Sequence, residues 1–248
     1  ASGGVHYLDG GWQTLVDQMV DRAADLGVAM LDHTPVRSIE RRDGVTGWVL
    51  EGGSGTARAT SVVLATGTPA AAARLSPIDL RLGAVGDPVT AACLELAVRG
   101  PLRVPFLLGL DVPLYLSQHS PPAALAPEGI SVVHVLRYGT TDPASDRAEL
   151  WEHVRRARID RAAVVADRFL RCMVVAGGLP RAADGGVLGR PSVTVLGVEG
   201  LHLAGDWVGG HGLLADAAVA SGVAAGRAAA QHTAWGATTS DARAGCTT

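Results

Sequence analysis

Apolar positions follow helical spacing in one early segment and strand-like spacing in the next. Between residues 12 and 26 apolar side chains recur every three or four positions, which predicts an amphipathic helix. Residues 36–41 and 45–51 are extended runs separated by the turn signal Asp43-Gly44, so they predict a β-hairpin. A further strand is expected at residues 57–65, and the early part of the chain therefore mixes helix and sheet.

The middle of the chain has a different rhythm, because proline and glycine clusters separate its apolar runs. These runs cover residues 89–98, 105–116 and 130–138. Their hairpin spacing predicts an antiparallel sheet. Two helices are expected after it, at residues 146–156 with Ser145 as the cap, and at residues 161–173.

The C-terminal part returns to short strands followed by a helix. Residues 62–65 and 201–204 are apolar on both faces, which is typical of buried parallel strands. A glycine-rich loop at residues 205–212 leads into an alanine-rich helix predicted at residues 213–231. The polar segment 236–248 predicts a disordered tail.

Composition and charge narrow the possible classes. The 248 residues are 48% hydrophobic and 18% charged, so the chain can bury a core and forms one large or two small domains. The net charge of -3 offers no basic surface, which argues against a nucleic-acid partner. No run of about 18 apolar residues predicts a membrane span.

Residue usage excludes several kinds of chemistry. All 21 basic residues are arginine, so a Walker lysine, a Schiff-base lysine and a lysine general base are excluded. Cys93, Cys172 and Cys246 are far apart and odd in number, which indicates reduced thiols in a cytoplasmic protein. The chain opens on Ala1 without a signal-peptide pattern, and we interpret it as a processed, recloned or partial chain.

The segment 200–222 holds the densest candidate chemistry. A buried strand ends at Gly205 and Asp206, a glycine loop follows, and a helix begins near Leu213. Ligands of α/β sheets bind at the carboxyl ends of strands, and helix N-termini favour anionic or electron-rich groups. From the residues alone, a ligand site and an ordinary strand–loop–helix remain equally open.

Three segments of the chain carry the motifs Gly205-Asp206-Trp207 followed by residues 214–222, Gly10-Gly11-Trp12 with residues 34–39, and residues 62–69. Together they resemble the flavin-containing amine oxidase superfamily, most of all its branch of phytoene-desaturase-like oxidoreductases. The first is similar to the C-terminal flavin-binding signature of that family, the second to its middle segment, and the third to the strand that closes its first flavin half-domain. The segments occur in family order over nearly the whole chain.

The resemblance implies an α/β (α+β) fold, in which a partial FAD-binding Rossmann-like domain carries an inserted antiparallel-sheet substrate domain. Residues 1–69 would be the middle portion of the FAD-binding domain, and residues 70–191 the substrate-binding domain. Residues 192–235 would supply the C-terminal strand and helix of the FAD-binding domain, before the tail at 236–248.

The resemblance also implies a role for each matched residue. Asp206 would hydrogen-bond the ribityl or pyrophosphate part of FAD, and the helix-start amides would face the flavin pyrimidine edge. Val36 would touch the adenine through its backbone, while Thr66 and Gly67 would line the dinucleotide path. The full cofactor-binding set is Val36, Thr66, Gly67, Gly205, Asp206, Trp207, Gly212, Leu213, Leu214 and Ala215. His211 and Trp207 are further candidates to border the flavin ring.

One family feature is missing, namely the N-terminal strand, G-x-G-x-x-G turn and helix that bind the pyrophosphate. The letters of Gly210 to Ala215 fit G-x-G-x-x-A, but they lie some residues beyond a strand and no acid follows about 20 residues later. We therefore treat them as a chance match. A partial chain, a second chain that supplies the missing half, a homo-oligomer and a protein without FAD all remain open.

The function implied by the resemblance is FAD-dependent oxidation, by desaturase-type hydride removal from an apolar small molecule. The absence of lysine argues against the amine-oxidising branch, where a lysine near the flavin is usual. The alternative is a cofactor-free or non-catalytic module, the remaining half of a split or degenerate flavoprotein. An isomerase or cyclase on the same scaffold has no positive signal.

Overall fold

The computed structural model describes residues 7–42, 44, 46–53, 55–80, 82 and 85–244. The chain forms two compact units. Unit 1 comprises Ala1–Leu31 and Thr90–Val175, and unit 2 comprises Asp32–Val89 and Ala176–Thr248. The first helix thus belongs to the unit with the antiparallel sheet, whereas the predicted functional domains, which remain a prediction, group it with residues 32–69.

Unit 1 is built on a five-stranded sheet with one long helix packed against it. Its elements are α1 (Trp12–Asp25), β5 (Val89–Arg99), β6 (Phe106–Leu108), β7 (Leu114–Ser120), β8 (Ile130–Tyr138), α3 (Pro143–Arg156) and β9 (Val164–Ala176). The strand order is β6-β7-β8-β5-β9, and the pairs β6–β7, β7–β8 and β5–β8 are antiparallel. The predicted antiparallel sheet is therefore confirmed.

The core of unit 1 lies between one face of this sheet and α3. Leu94, Leu116, Val133 and Val135 alternate inward along their strands and pack with Leu150 of the helix, and all five are fully buried. The cap of α3 differs from the prediction. Asp142 accepts a hydrogen bond from the Ser145 amide at 3.0 Å, so the helix begins one turn earlier than expected.

The helix predicted at residues 161–173 is wrong. Arg161–Ala163 form one 3₁₀ turn, and β9 follows directly. Valines stand at both ends of this segment, and Arg168 forms an ion pair with Glu95 of the adjacent strand. Sheet pairing and β-branched side chains thus outweigh the helical spacing of its charged residues.

Unit 2 contains two small sheets and two helices around a second core. Its elements are β1 (Val36–Glu40), β2 (Trp48–Gly52), β3 (Gly55–Ala59), β4 (Val62–Leu64), α2 (Pro69–Leu75), β10 (Leu201–Leu203) and α4 (Ala215–Ala244). β1 and β2 form the predicted hairpin, and β3 extends it to an antiparallel meander. The single strand predicted at residues 57–65 is wrong, because the chain bends at Thr60 and forms β3 and β4, which belong to different sheets. The turn residue Asp43 lies outside the described residues.

β4 and β10 pair in parallel, which confirms the parallel strand predicted at residues 62–65 and the buried strand predicted at residues 201–204. Leu201, Leu203 and Leu64 pack into the core with Trp48 and Trp207. Val63 departs from the prediction of burial on both faces, because its side chain is 37% exposed.

Helix α4 is longer than predicted, since it continues to Ala244. The disordered tail expected from residue 236 is therefore wrong as far as residue 244, and residues 245–248 lie outside the described range. Alanine has the highest helix propensity, and the segment contains no proline. Within the described residues, no helix combines the length and apolarity needed to cross a bilayer.

Candidate functional site

The candidate site of unit 2 lies where its two parallel strands end. β4 runs into Thr66 and Gly67, and β10 runs into Gly205 and Asp206. Because the strands are parallel, both chain ends reach the same edge of the sheet. The Ala204 amide donates to the Leu64 carbonyl at 3.0 Å, which extends the pairing to this edge.

Asp206 is held at the edge by a residue that the sequence did not identify. Its Oδ2 accepts a hydrogen bond from the Gly177 amide at 2.8 Å. A Cβ added to Gly177 would lie 2.6 Å from Asp206 Oδ1 and 2.6 Å from the Gly67 carbonyl oxygen. Glycine is thus required for this close approach. We call Gly67, Gly177 and Asp206 the strand-end junction.

Helix α4 is fastened to the end of β10 by Ser221. The Ser221 hydroxyl donates to the Gly205 carbonyl at 2.9 Å and accepts from the Gly205 amide at 3.0 Å. Both polar backbone groups of Gly205 are therefore satisfied by one buried side chain. Ser221 belongs to the segment that resembles the family signature, but its contact with Gly205 depends on the tertiary fold.

The start of α4 presents unpaired amides. Gly212, Leu213, Leu214 and Ala215 are exposed. Within the described part of the chain, the amides of the last three donate no hydrogen bond. Arg190 Nη1 donates to the Gly212 carbonyl at 2.9 Å and holds the approach loop. Free amides at the positive end of a helix favour an electron-rich ligand group.

Leu214 carries backbone strain at this position. Its φ of +51° lies in the left-handed region that non-glycine residues rarely adopt. The Asp216 and Ala218 amides donate to the carbonyls of Leu213 and Leu214, which fixes the strained turn to the helix. Strained residues of this kind cluster at functional sites.

The structure brings together only some of the predicted cofactor residues. Gly67 and Asp206 meet through Gly177, and Thr66 bonds locally to the Thr68 carbonyl at 3.2 Å. Val36 lies elsewhere, as the exposed first residue of β1 opposite Gly52 in the other sheet.

Trp207 and His211, both considered as neighbours of the flavin ring, lie in opposite environments. Trp207 is fully buried in the core of unit 2, and its indole Nε1 has no hydrogen-bond partner within the described chain. His211 is exposed in the loop. The Trp207 indole therefore packs in the core next to Gly177 of the strand-end junction, and it is not part of the exposed loop surface.

His202 is buried in the middle of β10. Its Nδ1 lies 3.4 Å from the Thr194 hydroxyl. Burial, with a smaller effect from His232, lowers the pKa of His202, so the ring is neutral at pH 7.

The residues at this edge fit the hydroxyl and ring groups of a flavin dinucleotide. Asp206 Oδ2 is used by Gly177, whereas Oδ1 accepts no hydrogen bond from the described residues and can accept one from a ligand hydroxyl. A Cβ on Gly67 would meet nothing within 4 Å, so its backbone is open to a ligand. The edge thus offers a carboxylate oxygen that accepts, free amides that donate and an open backbone, which are the groups that can bind such a cofactor.

Unit 2 has a parallel strand pair with glycine turns and a following helix, and unit 1 has an antiparallel sheet, which is compatible with the class of flavin-dependent oxidoreductases. The profile of the family described as "FAD dependent oxidoreductase" (DAO) matches residues 1–226, and the chain belongs to that family. The predicted fold class is thus confirmed. No curated protein matches the chain.

Solved structures share the fold at low sequence identity. An oxidoreductase from Methanosarcina mazei has a TM-score of 0.59 and 16% identity, over 85% of this chain and 52% of that one. A protein from Pyrococcus furiosus has a TM-score of 0.59 and 12% identity, over 89% of this chain and 53% of that one. This chain therefore spans about half the length of the structures that it resembles.

Proposed function

We propose that this chain supplies the flavin-edge half of an FAD-dependent oxidoreductase that removes hydride from an apolar small molecule. The observation that carries the proposal is the strand-end junction, where Asp206 is oriented by Gly177 beside the open backbone of Gly67. Asp206 is only partly buried, so its second carboxylate oxygen is available to accept a hydrogen bond from a cofactor hydroxyl.

Each element of the edge has a defined task in this proposal. Asp206 Oδ1 binds a ribityl or ribose hydroxyl, and the amides of Leu213, Leu214 and Ala215 donate to the electron-rich edge of the ring. FAD, when bound, accepts a hydride from a C–H bond of the substrate. The protein residues bind and orient the cofactor, and the helix end stabilises negative charge beside it.

We further propose that another segment binds the pyrophosphate. The sequence has no G-x-G-x-x-G turn directly between a strand and a helix. Unit 2 exposes apolar side chains on α4 and β4, with Val219 61% and Val223 49% exposed besides Val63. In unit 1, none of the α1 residues is buried, although its apolar positions share one helical spacing. Apolar surface of this kind favours a covering partner.

The missing strand–turn–helix is proposed to come from a further segment of the same protein or from a second polypeptide, with a homo-oligomer as the competing outcome. The proposed substrate is apolar, and the absence of lysine from this chain argues against an amine substrate. The free cysteines Cys93 and Cys172 support a cytoplasmic location within the proposal.

The test measures flavin absorbance between 350 and 500 nm in the purified chain, with and without a co-expressed G-x-G-x-x-G polypeptide. We expect little or no FAD in the chain alone and stoichiometric FAD in the complex, because the dinucleotide needs both half-sites. Flavin in neither sample would instead support the cofactor-free module. Tight FAD in the chain alone would contradict the need for a second segment.

Asp206→Ala is the residue-level test in the complex. A hydrogen bond to a charged group contributes about 1.5–3 kcal/mol. We therefore expect the affinity for flavin to fall by about one to two orders of magnitude. Asp111→Ala, which removes an exposed carboxylate in unit 1, is the matched control. Unchanged flavin occupancy of Asp206→Ala at limiting FAD would show that the carboxylate only supports the fold.

A further inference from the structure

A row of titratable side chains crosses the face of the unit 1 sheet that lies opposite to α3. His134 on β8 is directly opposite Glu95 on β5 and Ser117 on β7. Side chains directly opposite each other in an antiparallel pair share one face of the sheet. His119 stands two residues beyond Ser117, and its ring contacts that of His134, so it lies on this same face.

Contacts connect the row from one side of the sheet to the other. Arg168 Nε donates to Glu95 Oε2 at 2.5 Å, and Glu95 Oε1 lies 3.9 Å from His134 Nε2. The rings of His134 and His119 are 4.2 Å apart between centroids, and Tyr7 meets His119 edge-on at 4.9 Å. We call these residues the histidine row.

One atom of the row lacks a partner. His119 Nε2 is buried, and it makes no hydrogen bond within the described chain. A buried ring nitrogen without a partner costs free energy unless a ligand or water satisfies it. The two charged members of the row, Arg168 and Glu95, are paired with each other, so the missing hydrogen bond lies at the histidine pair.

Charge in the row is balanced before any ligand arrives. Arg168 and Glu95 neutralise each other across their ion pair. Burial, followed by the charge of the neighbouring His134, lowers the pKa of His119 to about 4. Burial also lowers the pKa of His134, against the opposing effect of Glu95. Both imidazoles are thus neutral at pH 7 and offer hydrogen bonds without net charge.

An apolar floor adjoins the row on the same face. Leu136 lies opposite both Cys93 and Tyr115, and Leu136 and Cys93 are buried. Tyr115 meets Phe106 edge-to-face at 5.5 Å, and Phe106 is more than half exposed. Aromatic side chains arranged around a buried aliphatic centre suit a flat apolar ligand.

We propose that this sheet face binds a neutral, ring-bearing small molecule whose hydroxyl or carbonyl group hydrogen-bonds to His119 and His134. Its apolar rings lie against Tyr115 and the exposed ring of Phe106. The proposal rests on the proposed function, because it gives the substrate class of that oxidoreductase. A carboxylate or an ammonium group would leave an unpaired charge beside a row that is already balanced.

The test uses the full chain with 2-naphthol as the probe and 2-methylnaphthalene as the matched ligand without a hydroxyl. Binding is followed by probe fluorescence and by the imidazole Cε1–H signals of the histidines. We expect 2-naphthol to bind about tenfold more tightly than 2-methylnaphthalene and to shift the signals of His119 and His134. Equal affinities, or no binding of either ligand at saturation, would overturn the proposal.

Two variants make the assignment specific. His134→Phe and His119→Phe keep a ring in place but remove its nitrogens, and each is expected to abolish the tenfold preference. Either variant suffices if the other does not fold. His33→Asn in unit 2 is the control, because asparagine tolerates the φ of +53° at that position. A preference that survives both Phe variants would contradict the proposal.

The outcome is independent of flavin loading. If the chain prefers 2-naphthol but no FAD binds in the complex, the oxidoreductase proposal is contradicted, whereas ligand binding at the histidine row is supported. If FAD binds but the preference for 2-naphthol is absent, ligand binding at the histidine row is contradicted, whereas the oxidoreductase proposal is supported.

Discussion

The two sheets that carry the candidate sites differ in how completely the rest of the same unit buries them. In unit 1 the five-stranded sheet buries one complete face against α3, with Leu94, Leu116 and Leu150 fully buried. In unit 2 the parallel pair β4–β10 has only two strands, and Val63 and Val219 remain exposed beside it. The difference predicts that the sheet of unit 1 keeps its buried face by itself, whereas we expect the parallel pair of unit 2 to gain stability from the partner segment proposed above.

Leu150→Ala should give the largest effect, because it opens a cavity in the self-covered core of unit 1. A buried leucine replaced by alanine costs about 2–5 kcal/mol of unfolding free energy. Urea denaturation of the chain measures it. Val219→Ala on the exposed face of α4 is the control, and a change below about 0.5 kcal/mol is expected there. Similar losses in both variants would remove the contrast between the units.

Gly177→Ala should give the next largest effect, within unit 2. The added Cβ would lie 2.6 Å from the Gly67 carbonyl oxygen, so the strand-end junction must separate. Overpacking of this kind costs about 1–3 kcal/mol. Flavin occupancy of the complex should fall together with stability. Gly226→Ala, whose Cβ position meets nothing within 4 Å, is the control. A Gly177→Ala protein that keeps both properties would show that the junction can relax.

A smaller change in unfolding free energy is expected from pH. It concerns the sheet face of unit 1 that carries the histidine row, and not the face that packs on α3. The pKa of His119 is about 4 in the folded protein and about 6.5 in the unfolded chain. Because the unfolded state takes up the proton first, this contribution to stability is complete above pH 6.5 and is lost as pH falls towards 4.

The measurement is the urea midpoint between pH 7 and pH 5. His134, Glu95, Arg168 and Tyr7 face His119 and are unchanged in the variant His119→Phe. That variant should lose less stability over this interval than the wild-type chain. Parallel curves for the two proteins would mean that His119 does not titrate differently on folding.

Gly222→Ala should give the smallest effect on the chain alone, and the effect is favourable. A Cβ at this exposed position in α4 meets nothing, and alanine in place of glycine stabilises a helix by about 0.5–1 kcal/mol. The same change should weaken the complex if the partner segment packs closely on this face. Thermal unfolding and light scattering measure the two quantities. A gain in stability without any loss of association would place the partner on another surface.

The sequence predicted those elements whose pattern depends on local contacts. Residues 130–138 form β8 as expected, and residues 12–26 form α1 with one residue fewer. β9 was missed because its strand conformation depends on pairing along the sheet, and its charged residues imitate the exposed face of a helix. Spacing along the chain does not contain that information.

The candidate site shows the same limit. Asp206 and the start of α4 were identified from the strand–loop–helix pattern and the family resemblance. Gly177 joins Asp206 from 29 residues away, so only the tertiary fold reveals it. The doublet Gly177-Gly178 after an apolar run was a signal, since two glycines at a strand end often mark a close approach of backbones. The burial of Trp207 had no such signal.

The bond between Ser221 and Gly205 has a consequence for how the loop before α4 can change. Ser221 lies six residues beyond the start of α4, so the helix is anchored from within, about 9 Å past its first residue. The exposed loop residues 211–213 therefore do not by themselves set the position of the helix, and we expect insertions there to be tolerated. Loop insertions cost little closure entropy, so this segment can acquire new ligand contacts while the amides at the start of α4 stay in place.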